Sequence, residues 1–419
     1  MRHRAAAHCR PVQSHVLPRQ PLTALRIAVV TETYPPEING VARTVGLMVD
    51  ELLARGHHIQ LVRPRQAGES AGTPASRTSG LEERLTIGFR IPNYPELQIG
   101  IVRKRLLLRD WSVRRPDIVH VVTEGPLGWS ALLAARKLGI PVVSDFHTNF
   151  HDYSRHYGLG WISGLVAGYL RALHNRADCT FVPTHEMRDR LRALRFNALS
   201  IVGRGIDTRL FNPAKRSAEL RRSWHCRGDT PVALYVGRLA AEKNLRLFVQ
   251  SIRAAQYHRP DLCVVIVGDG PMGKSLRAEH PDFLFAGMRT GEDLAAYYAS
   301  ADLFVFPSLS ETFGNVTMEA LASGLAVVAF DYAAAREHIV HGHNGLVAPC
   351  DDESAFRRHT LRLASSAQEV HKLRQRARQT AERLSWSRAF DDLEKSLVKF
   401  AAAPVGTLSD YAPTTAATD

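Results

Sequence analysis

The sequence predicts an α/β fold in which two doubly wound, parallel-sheet domains face a central cleft. The chain has 419 residues, which is more than one hydrophobic core usually supports. Apolar runs of strand length alternate with segments of helical periodicity in both halves of the chain. This alternation is interrupted once, near residues 205–230. Repeated βαβ units imply parallel sheets, so we expect one such sheet on each side of the interruption.

The N-terminal domain is expected to span residues 25–205. Its first βαβ unit has helical spacing from Val41 to Ala54, and Arg55-Gly56 is expected to close that helix. The remaining helices are predicted at Leu127–Leu138 and Glu186–Leu194. The predicted strands are Leu25–Thr31, Ile59–Val62, Asp117–Val122, Pro141–Phe146, Cys179–Val182 and Ser200–Val202. This pattern is Rossmann-like, and residues 1–24 before it lack periodicity and are expected to form a loose leader.

The C-terminal domain is expected to span residues 206–385 and to be Rossmann-like as well. Its predicted strands are Val232–Val236, Cys263–Val267, 283–285, Leu303–Pro307 and Ala326–Phe330. Helices are predicted at 243–256, 272–279, 291–299, 316–323 and 353–383. We expect a last helix, 386–402, to return to the N-terminal domain, and residues 403–419 to be disordered because they are rich in Ala, Thr and Pro.

Composition favours a protein of the cytoplasm. Five scattered cysteines without a C-x-x-C pair argue against a disulfide framework or a zinc site. No apolar signal-peptide core precedes Leu25, and the apolar stretch Trp161–Leu170 is about half the length of a membrane span. We therefore expect a cytoplasmic location, with peripheral contact to the inner face of the membrane as an option.

The formal net charge of +13 calls for an explanation. An anionic membrane, a phosphorylated substrate and nucleic acid are candidate partners for such a chain. Much of the excess positive charge lies in residues 84–115 and 357–383. The alternative explanation is that these segments form arginine-rich helix faces exposed to solvent, which bind no partner. We expect no nucleic-acid partner because the sequence contains no recognised nucleic-acid motif and no aromatic stacking platform.

The segment from Ser308 to Ala320 carries the most chemical information. It is predicted to follow a buried strand and to open a helix, with Gly314 allowing close backbone approach to a ligand. The amides of Gly314, Asn315 and Val316 would lie at the positive end of that helix, which suits a phosphate. Glu311 and Glu319 flank this anion site, so each is expected to accept hydrogen bonds from sugar or ribose hydroxyls.

Two cations are predicted to face the same cleft. Arg238 follows Gly237 at the end of one strand, and Lys243 opens the next helix. Two fixed cations can neutralise a leaving diphosphate, which is the task of a metal ion in other enzymes. The sequence contains no Asp-x-Asp, a metal-holding signature. We therefore expect no metal and no other cofactor.

These residues resemble the family 4 retaining glycosyltransferases of GT-B architecture. Glu311 and Glu319 resemble that family's paired glutamates, and the resemblance runs from about Arg26 to Phe400. It includes Thr33-Tyr34-Pro35-Pro36 with Gly40-Val41-Ala42, Val236 to Leu239 with Glu242-Lys243-Asn244, and Val267 to Pro271.

The resemblance also implies roles for individual residues of this sequence. Arg238 and Lys243 would bind the donor diphosphate, and Glu311 would bind hydroxyls of the transferred sugar. Glu319 would bind the ribose, and Gly40 would lie on a loop that closes over the reacting centre. Backbone from Phe313 to Asn315 would assist Glu311.

His147 is a further candidate because it follows the predicted strand Pro141–Phe146. Side chains at the carboxyl ends of parallel strands face the ligand cleft more often than side chains within strands. In the family the histidine at this place contacts the donor sugar. A structural role is the alternative for any one of the 19 histidines.

Residues 268–273 form a literal G-x-G-x-x-G between a predicted strand and helix. Taken alone, this turn favours an NAD-dependent oxidoreductase or epimerase. That hypothesis requires an acidic residue near the end of the next strand, which instead ends Phe285-Ala286-Gly287-Met288. We therefore expect Gly287 and Met288 to lie against the base of a nucleotide sugar.

The sequence predicts the class of the acceptor less specifically than that of the donor. Residues 99–115 interleave apolar and basic side chains, which predicts an amphipathic helix that either lies on an anionic membrane or packs on its own sheet. The stretch from His147 to Gly158 resembles a branch of the family that adds mannose or other sugars to glycolipids. GDP-mannose and a lipid-linked or glycan acceptor are the preferred prediction, with UDP-sugar-dependent glucosyl, glucuronosyl or sulfoquinovosyl transfer to diacylglycerol as the alternative. The family pattern departs at Ala333-Ala334-Ala335, which replaces a loop that commonly contains glycine.

Overall fold

The structure is a computed structural model that describes residues 24–403 with short gaps at 38, 67–68, 70–76, 92–93, 148–159, 227, 229 and 312. The predicted leader, apart from residue 24, and the predicted tail, apart from residue 403, lie outside the described residues. Most of the stretch that resembles the glycolipid branch, after His147, lies outside them as well.

The described part of the N-terminal domain is built on a nine-stranded sheet. Its strands are β1 (Arg26–Val30), β2 (His58–Pro64), β3 (Arg77–Thr78), β4 (Leu81–Ile91), β5 (Tyr94–Ile101), β6 (Ile118–Val121), β7 (Val142–Asp145), β8 (Cys179–Val182) and β9 (Leu199–Ile201). The order is β3-β4-β2-β1-β6-β7-β8-β9, with β5 paired to β4. All neighbours from β4 to β9 along that order are parallel, whereas β3 and β5 run antiparallel to β4.

Helices cover both faces of this sheet. They are α1 (Gly40–Ala54), α2 (Lys104–Val113), α3 (Pro126–Lys137), α4 (Gly160–His174) and α5 (His185–Ala193). Helix α1 begins where the Asn39 side chain accepts a hydrogen bond from the amide of Ala42. Its apolar stripe packs with Ile27 and Val29 of the central strand β1, so the amino end of α1 is held at the carboxyl edge of the sheet.

The prediction of one helix over residues 99–115 is wrong. Residues 99–101 belong to β5, where Ile99 pairs with Phe89 and Ile101 pairs with Ile87 of β4. The helix begins at Lys104, and it buries Leu107 and Trp111 in the same core as Leu127 of α3. Pairing with β4 overrides the local helical pattern at 99–101, and strand propensity depends strongly on such tertiary context. Strands β4 and β5 were not predicted because neither shows a strict apolar alternation in sequence. Their pairing with each other is what makes them strands.

The C-terminal domain contains a six-stranded parallel sheet of order β12-β11-β10-β13-β14-β15. The strands are β10 (Val232–Val236), β11 (Cys263–Val267), β12 (Leu284–Gly287), β13 (Leu303–Phe306), β14 (Ala326–Phe330) and β15 (Leu346–Ala348). The helices are α6 (Ala218–Ser223), α7 (Leu245–His258), α8 (Gly273–Glu279), α9 (Gly291–Ser300), α10 (Asn315–Ala322), α11 (Ala333–His338), α12 (Glu353–Ala364), α13 (Ala367–Glu382) and α14 (Trp386–Ala402). Short 3-10 turns occupy Pro213–Lys215 and Ala241–Lys243.

The single helix predicted over 353–383 is divided into α12 and α13. Ser366 interrupts it, because its side chain accepts a hydrogen bond from the amide of Glu369 and caps α13. Serine competes for backbone hydrogen bonds in this way more readily than the surrounding alanines and arginines.

The chain crosses between the domains twice, and the two crossings lie side by side. The amide of Ile206 donates to the carbonyl of Leu384 at 2.8 Å. A methyl group at Gly205 would lie 2.3 Å from the Trp386 backbone nitrogen, so only glycine permits this contact. Helix α14 then packs Phe390, Leu397 and Phe400 into the core of the N-terminal domain.

Candidate active site

The C-terminal sheet places the carboxyl ends of its neighbouring parallel strands β10 and β13 at one edge, and charged side chains follow both strands. Lys243 Nζ donates to Glu311 Oε1 at 2.5 Å and to Ser310 Oγ at 3.3 Å. Ser308 Oγ donates to the same Glu311 oxygen at 2.8 Å. The structure therefore brings the predicted pair Lys243 and Glu311 into direct contact, and two donors hold one oxygen of the carboxylate.

Arg238 lies beside this pair but is held less tightly. Its side chain is 44% exposed and lies 3.8 Å from Glu242, one turn away. Its backbone carbonyl accepts a hydrogen bond from the buried Tyr235 hydroxyl at 3.1 Å, which fixes the loop after Gly237. The guanidinium can therefore reorient toward an anion, while the backbone beneath it stays in place.

Helix α10 points its amino end at the cleft. Gly314 precedes it with φ of 96°, a left-handed conformation that favours glycine, and no side chain caps the helix. The first amides of a helix lack intrahelical partners and attract anions. Phe313 is buried behind this turn, and its carbonyl accepts a hydrogen bond from the amide of Ala334 at 2.7 Å.

The N-terminal domain closes over this helix end. A methyl group at Gly40 would lie 3.3 Å from Asn315 Nδ2, so the amino end of α1 touches the first residue of α10. The structure thus brings together Gly40 and Asn315, two predicted donor-binding residues from different domains. Val316 follows, and its carbonyl accepts a long hydrogen bond of 3.4 Å from the Tyr298 hydroxyl.

Glu319 is a buried carboxylate that already has two partners. Tyr298 OH donates to one oxygen at 3.0 Å, and Arg43 Nη1 of the N-terminal domain donates to the other at 2.9 Å. Burial raises the pKa of Glu319 above its ordinary value, and the Arg43 guanidinium and the Tyr298 hydroxyl partly oppose that shift. A ribose bound to Glu319 would have to share it with Arg43 or displace it.

His147 lies on the opposite side of the cleft, immediately after β7. Its Nδ1 is 3.2 Å from Arg204 Nη2, and its Nε2 is 3.5 Å from Asp145 Oδ2. Its backbone amide donates to Glu124 Oε1 at 2.8 Å. Burial opposes ionisation of Asp145, but His120 and His147 outweigh it and hold the pKa of that carboxyl well below its ordinary value.

The glycine-rich turn 268–273 packs two chain segments instead of forming an open cradle. A methyl group at Gly268 would lie 2.0 Å from the Gly237 carbonyl oxygen, and one at Gly270 would lie 2.5 Å from that of Leu239. These glycines allow the loops after β10 and β11 to touch. Gly287 accepts a hydrogen bond from the Gly268 amide at 2.9 Å, and Met288 beside it is 58% exposed.

Several charged residues of the site were not predicted from sequence. Arg43, Tyr298 and Arg204 acquire their positions through contacts that join distant parts of the chain. The one weak indication in the sequence that Arg204 belongs to the site is its position between the last N-terminal strand and the domain crossing.

Among the described residues no group of three or more His, Cys, Asp or Glu side chains is placed to hold a metal ion. None of the described helices is both long enough and apolar enough to span a membrane.

The fold has counterparts among solved structures. The sucrose-phosphate synthase of Thermosynechococcus elongatus superposes with a TM-score of 0.72 over 90% of this chain and 100% of that chain, at 19% sequence identity. Two facing doubly wound sheets of this arrangement define the GT-B fold. The predicted fold class is confirmed.

Sequence comparison gives the family. Residues 38–210 match the family described as Glycosyltransferase Family 4, and residues 230–366 match Glycosyl transferases group 1. A GDP-mannose-dependent alpha-mannosyltransferase of Mycolicibacterium smegmatis is 36% identical over 78% of this chain and 83% of that protein. An alpha-monoglucosyldiacylglycerol synthase of Streptococcus pneumoniae is 26% identical over 73% of this chain and 71% of that protein. The chain belongs to the family 4 glycosyltransferases, and the oxidoreductase or epimerase alternative is set aside.

Proposed function

We propose that this enzyme transfers mannose from GDP-mannose to a hydroxyl group of a membrane glycolipid, with retention of configuration and without a metal ion. The observation that carries the proposal is the contact between Lys243, after β10, and Glu311, on the loop that leads to the amino end of α10. The relative from Mycolicibacterium smegmatis supports GDP-mannose as the donor.

The donor side supplies both charge neutralisation and sugar positioning. Lys243, Arg238 and the first amides of α10 would bind the diphosphate and stabilise it as it leaves. Glu311 would accept hydrogen bonds from sugar hydroxyls, and Glu319 would accept them from the ribose. Gly287 and Met288 would lie against the base.

The configuration of the anomeric carbon is retained if the leaving diphosphate oxygen and the incoming acceptor oxygen lie on the same face of the sugar. The bond from the anomeric carbon to the diphosphate breaks as the bond to the acceptor oxygen forms. The acceptor proton passes to the departing phosphate, so no nucleophile from the protein is needed. His147 would contact the sugar from the N-terminal domain.

The donor is tested by thermal unfolding with GDP, UDP and ADP, each with and without a chelator. We expect GDP to stabilise the protein most and the chelator to change nothing. Turnover of GDP-mannose and UDP-glucose then follows. Stabilisation and turnover with UDP alone would overturn the GDP-mannose assignment in favour of the UDP-sugar alternative, and a strict need for magnesium would overturn the metal-independent mechanism.

The site is tested with Lys243→Met and Glu311→Gln. Loss of a group that stabilises transition-state charge typically costs about 10²–10³ in kcat. Arg246→Met is the matched control, because Arg246 lies three residues from Lys243 with its side chain 71% exposed and paired to Glu353. Equal activity of Lys243→Met and Arg246→Met would remove Lys243 from the site.

An exposed apolar surface on the N-terminal domain supports a membrane-bound acceptor. Ile87 is 66% exposed, Phe89 55% and Ile101 46%, and all three lie on the paired strands β4 and β5. The exposed cations Arg103, Lys104 and Arg105 follow directly. Gly100 packs beside Glu32, at the carboxyl end of β1, so this surface adjoins the acceptor side of the cleft.

We propose that this apolar and basic surface contacts anionic lipid, which places the enzyme at the periphery of a membrane. The test is flotation with vesicles of phosphatidylglycerol and phosphatidylcholine, compared with phosphatidylcholine alone. We expect binding to the anionic vesicles, and loss of binding in the variant Ile87→Ser with Phe89→Ser. Tyr257→Ser with Val340→Ser removes exposed apolar side chains of the C-terminal domain and should leave binding unchanged. Equal effects of the two double variants would refute the assignment.

A further inference from the structure

Arg204 is a half-buried cation that no sequence motif assigned to the reaction. It lies between β9 and Gly205, the residue at which the chain crosses to the other domain. Its Nη2 lies 3.2 Å from His147 Nδ1. Burial lowers the pKa of the Arg204 guanidinium from its ordinary value, and the nearby Asp145 carboxylate opposes that shift. An arginine nevertheless remains charged in proteins.

The contact between Arg204 and His147 determines where the imidazole carries its proton. A guanidinium has only donors, so Nδ1 of His147 must be the acceptor and must hold a lone pair. The ring proton then resides on Nε2, which faces Asp145 Oδ2 at 3.5 Å. A second proton on Nδ1 is excluded while the guanidinium N–H points at that atom.

The partners of His147 are themselves fixed. Asp145 accepts a hydrogen bond from His120 Nε2 at 2.9 Å. The buried Glu124 carboxylate accepts from the His147 amide, and its Oε1 lies 3.8 Å from His174 Nε2. Burial opposes the ionisation of Glu124, yet the His174 and His147 contacts hold its pKa below the ordinary value. The charged and titratable groups around His147 thus come from β6, β7, the loop before α3, α4 and the crossing: His120, Asp145, Glu124, His174 and Arg204.

We propose that Arg204 is a positioning residue for sugar transfer, which holds His147 as a neutral imidazole with its proton on Nε2 and connects the orientation of that ring to the domain crossing. This inference rests on the proposed role of His147 at the donor sugar. The Nε2–H group then points toward Asp145, whereas Nδ1 takes no part in proton transfer. Through Gly205 and Ile206 the same segment pairs with Leu384 and Ser385, so movement of the domains and the position of Arg204 are mechanically connected.

The first test observes the tautomer directly in the protein without substrate. In ¹⁵N-histidine-labelled protein, the His147 resonances are assigned from the spectrum of His147→Gln. We expect an unprotonated Nδ1 and a protonated Nε2 in the wild type and in Arg204→Lys. In Arg204→Met, which keeps much of the side-chain volume and removes every donor, we expect the tautomer preference to be lost. A protonated Nδ1 in the wild type, or an unchanged tautomer in Arg204→Met, would refute the proposal.

The second test measures how the rate depends on pH. Without the guanidinium, Nδ1 of His147 can take a proton beside Asp145, so Arg204→Met should lose activity at acidic pH and regain it at alkaline pH. We expect the loss in kcat relative to the wild type to be larger at pH 6.5 than at pH 8.5. Arg204→Lys should follow the wild-type profile.

A purely structural role for Arg204 would instead lower kcat by the same factor at every pH and lower the unfolding temperature, and this outcome would overturn the inference. The tautomer measurement does not depend on the donor or acceptor. If the enzyme proved inactive with every nucleotide sugar, the NMR result would still decide the role of Arg204, and only the proposed function would fall.

Discussion

Single charged side chains in this cleft differ in their burial and in their partners. Lys243 and Glu311 satisfy each other at 2.5 Å, whereas Glu319 depends on Arg43 from the other domain. Glu32, at the carboxyl end of β1, lies near the like-charged Glu124. Burial raises its pKa to about 7, although the Leu127 amide donates to its Oε1 at 3.1 Å. Each of these three carboxylates therefore has at least one partner from a distant part of the chain.

Glu32 should make the N-terminal domain less stable as the pH rises. Its folded-state pKa is raised above the ordinary 4.5, so its contribution to stability is fully present below about 4.5 and is lost as the pH rises through about 7. We expect Glu32→Gln to remove this loss, which is about 3 kcal/mol at most between pH 4.5 and 8. Urea unfolding at several pH values measures the effect.

Glu279→Gln is the control for that measurement, because Glu279 is exposed on α8 in the other domain. It should leave the pH dependence as in the wild type. If Glu32→Gln and the wild type lost stability in parallel between pH 5 and 8, the assignment of the slope to Glu32 would be wrong.

At the scale of elements, the amino end of α10 is the part of the site on which most contacts converge. Gly314, in its left-handed conformation, sets the angle at which the helix leaves the loop that carries Glu311. Helix α14 shows the converse arrangement, since an element from the C-terminal end of the described chain completes the N-terminal core. The function of both elements depends on where they pack more than on their own sequence.

Gly314→Ala should weaken donor binding more than it weakens the fold. A methyl group at Gly314 would have ordinary contacts, the nearest at 3.5 Å from Glu311 Cγ, so the cost is conformational and about 1 kcal/mol. We expect a rise in the donor KM because the helix amides shift. Gly342→Ala is matched to it, since Gly342 has φ of 74° and no neighbour within 4 Å of its added methyl group. Gly342→Ala should lose a similar amount of stability and keep a normal donor KM. A raised donor KM in both variants would show that the effect does not come from the position of the α10 amides.

Leu397→Ala in α14 should destabilise the N-terminal domain. Leu397 is fully buried in the core that contains Ile27 and Val45, and removal of a buried leucine side chain costs about 2–5 kcal/mol. Hydrogen exchange of the β1 amides should therefore accelerate. Lys395→Ala changes a largely exposed residue of the same helix and should leave that exchange slow. Unchanged exchange in Leu397→Ala would show that α14 is dispensable for this core.

At the scale of the whole molecule, a few polar contacts hold the domains together across the cleft. Arg43 binds Glu319, and residues at the start of α5 bind α11. The His185 amide donates to Glu337 Oε1 at 2.7 Å, and Glu186 lies 3.3 Å from Arg336. Contacts of this kind are partly exposed and individually weak, so the domains can separate and close around a ligand.

Removal of the α5–α11 contacts should open the cleft. We expect the double variant Glu186→Ala with Glu337→Ala to increase the radius of gyration of the free protein, measured by small-angle X-ray scattering. The donor KM should rise about threefold, which corresponds to roughly 0.6 kcal/mol from two partly exposed contacts. Glu219→Ala, at an exposed position on α6, is the control. A radius unchanged from that of the control would show that other contacts hold the domains together.

Much of the fold could be predicted because its strands are apolar on both faces. The bounds of Cys179–Val182, Val232–Val236, Cys263–Val267 and Ala326–Phe330 were predicted without error. Strands buried on both faces are nearly continuous apolar runs, and short turns separate them from the helices. Strands β4 and β5 escaped prediction because they lie toward the edge of the sheet and present polar and exposed residues, among them Glu82, Glu83, Arg84 and Phe89.

The sequence alone determined the α/β class, the two sheets and the residues Lys243, Glu311, Gly314 and His147 at the ends of strands. These features depend on local periodicity and on the rule that parallel strands end at one edge. Only the tertiary structure decided the partners of Glu319, the tautomer of His147 and the packing of α14. Each of these depends on contacts between segments far apart in the chain, for example Arg43 with Glu319 and Arg204 with His147, and no local pattern encodes such contacts.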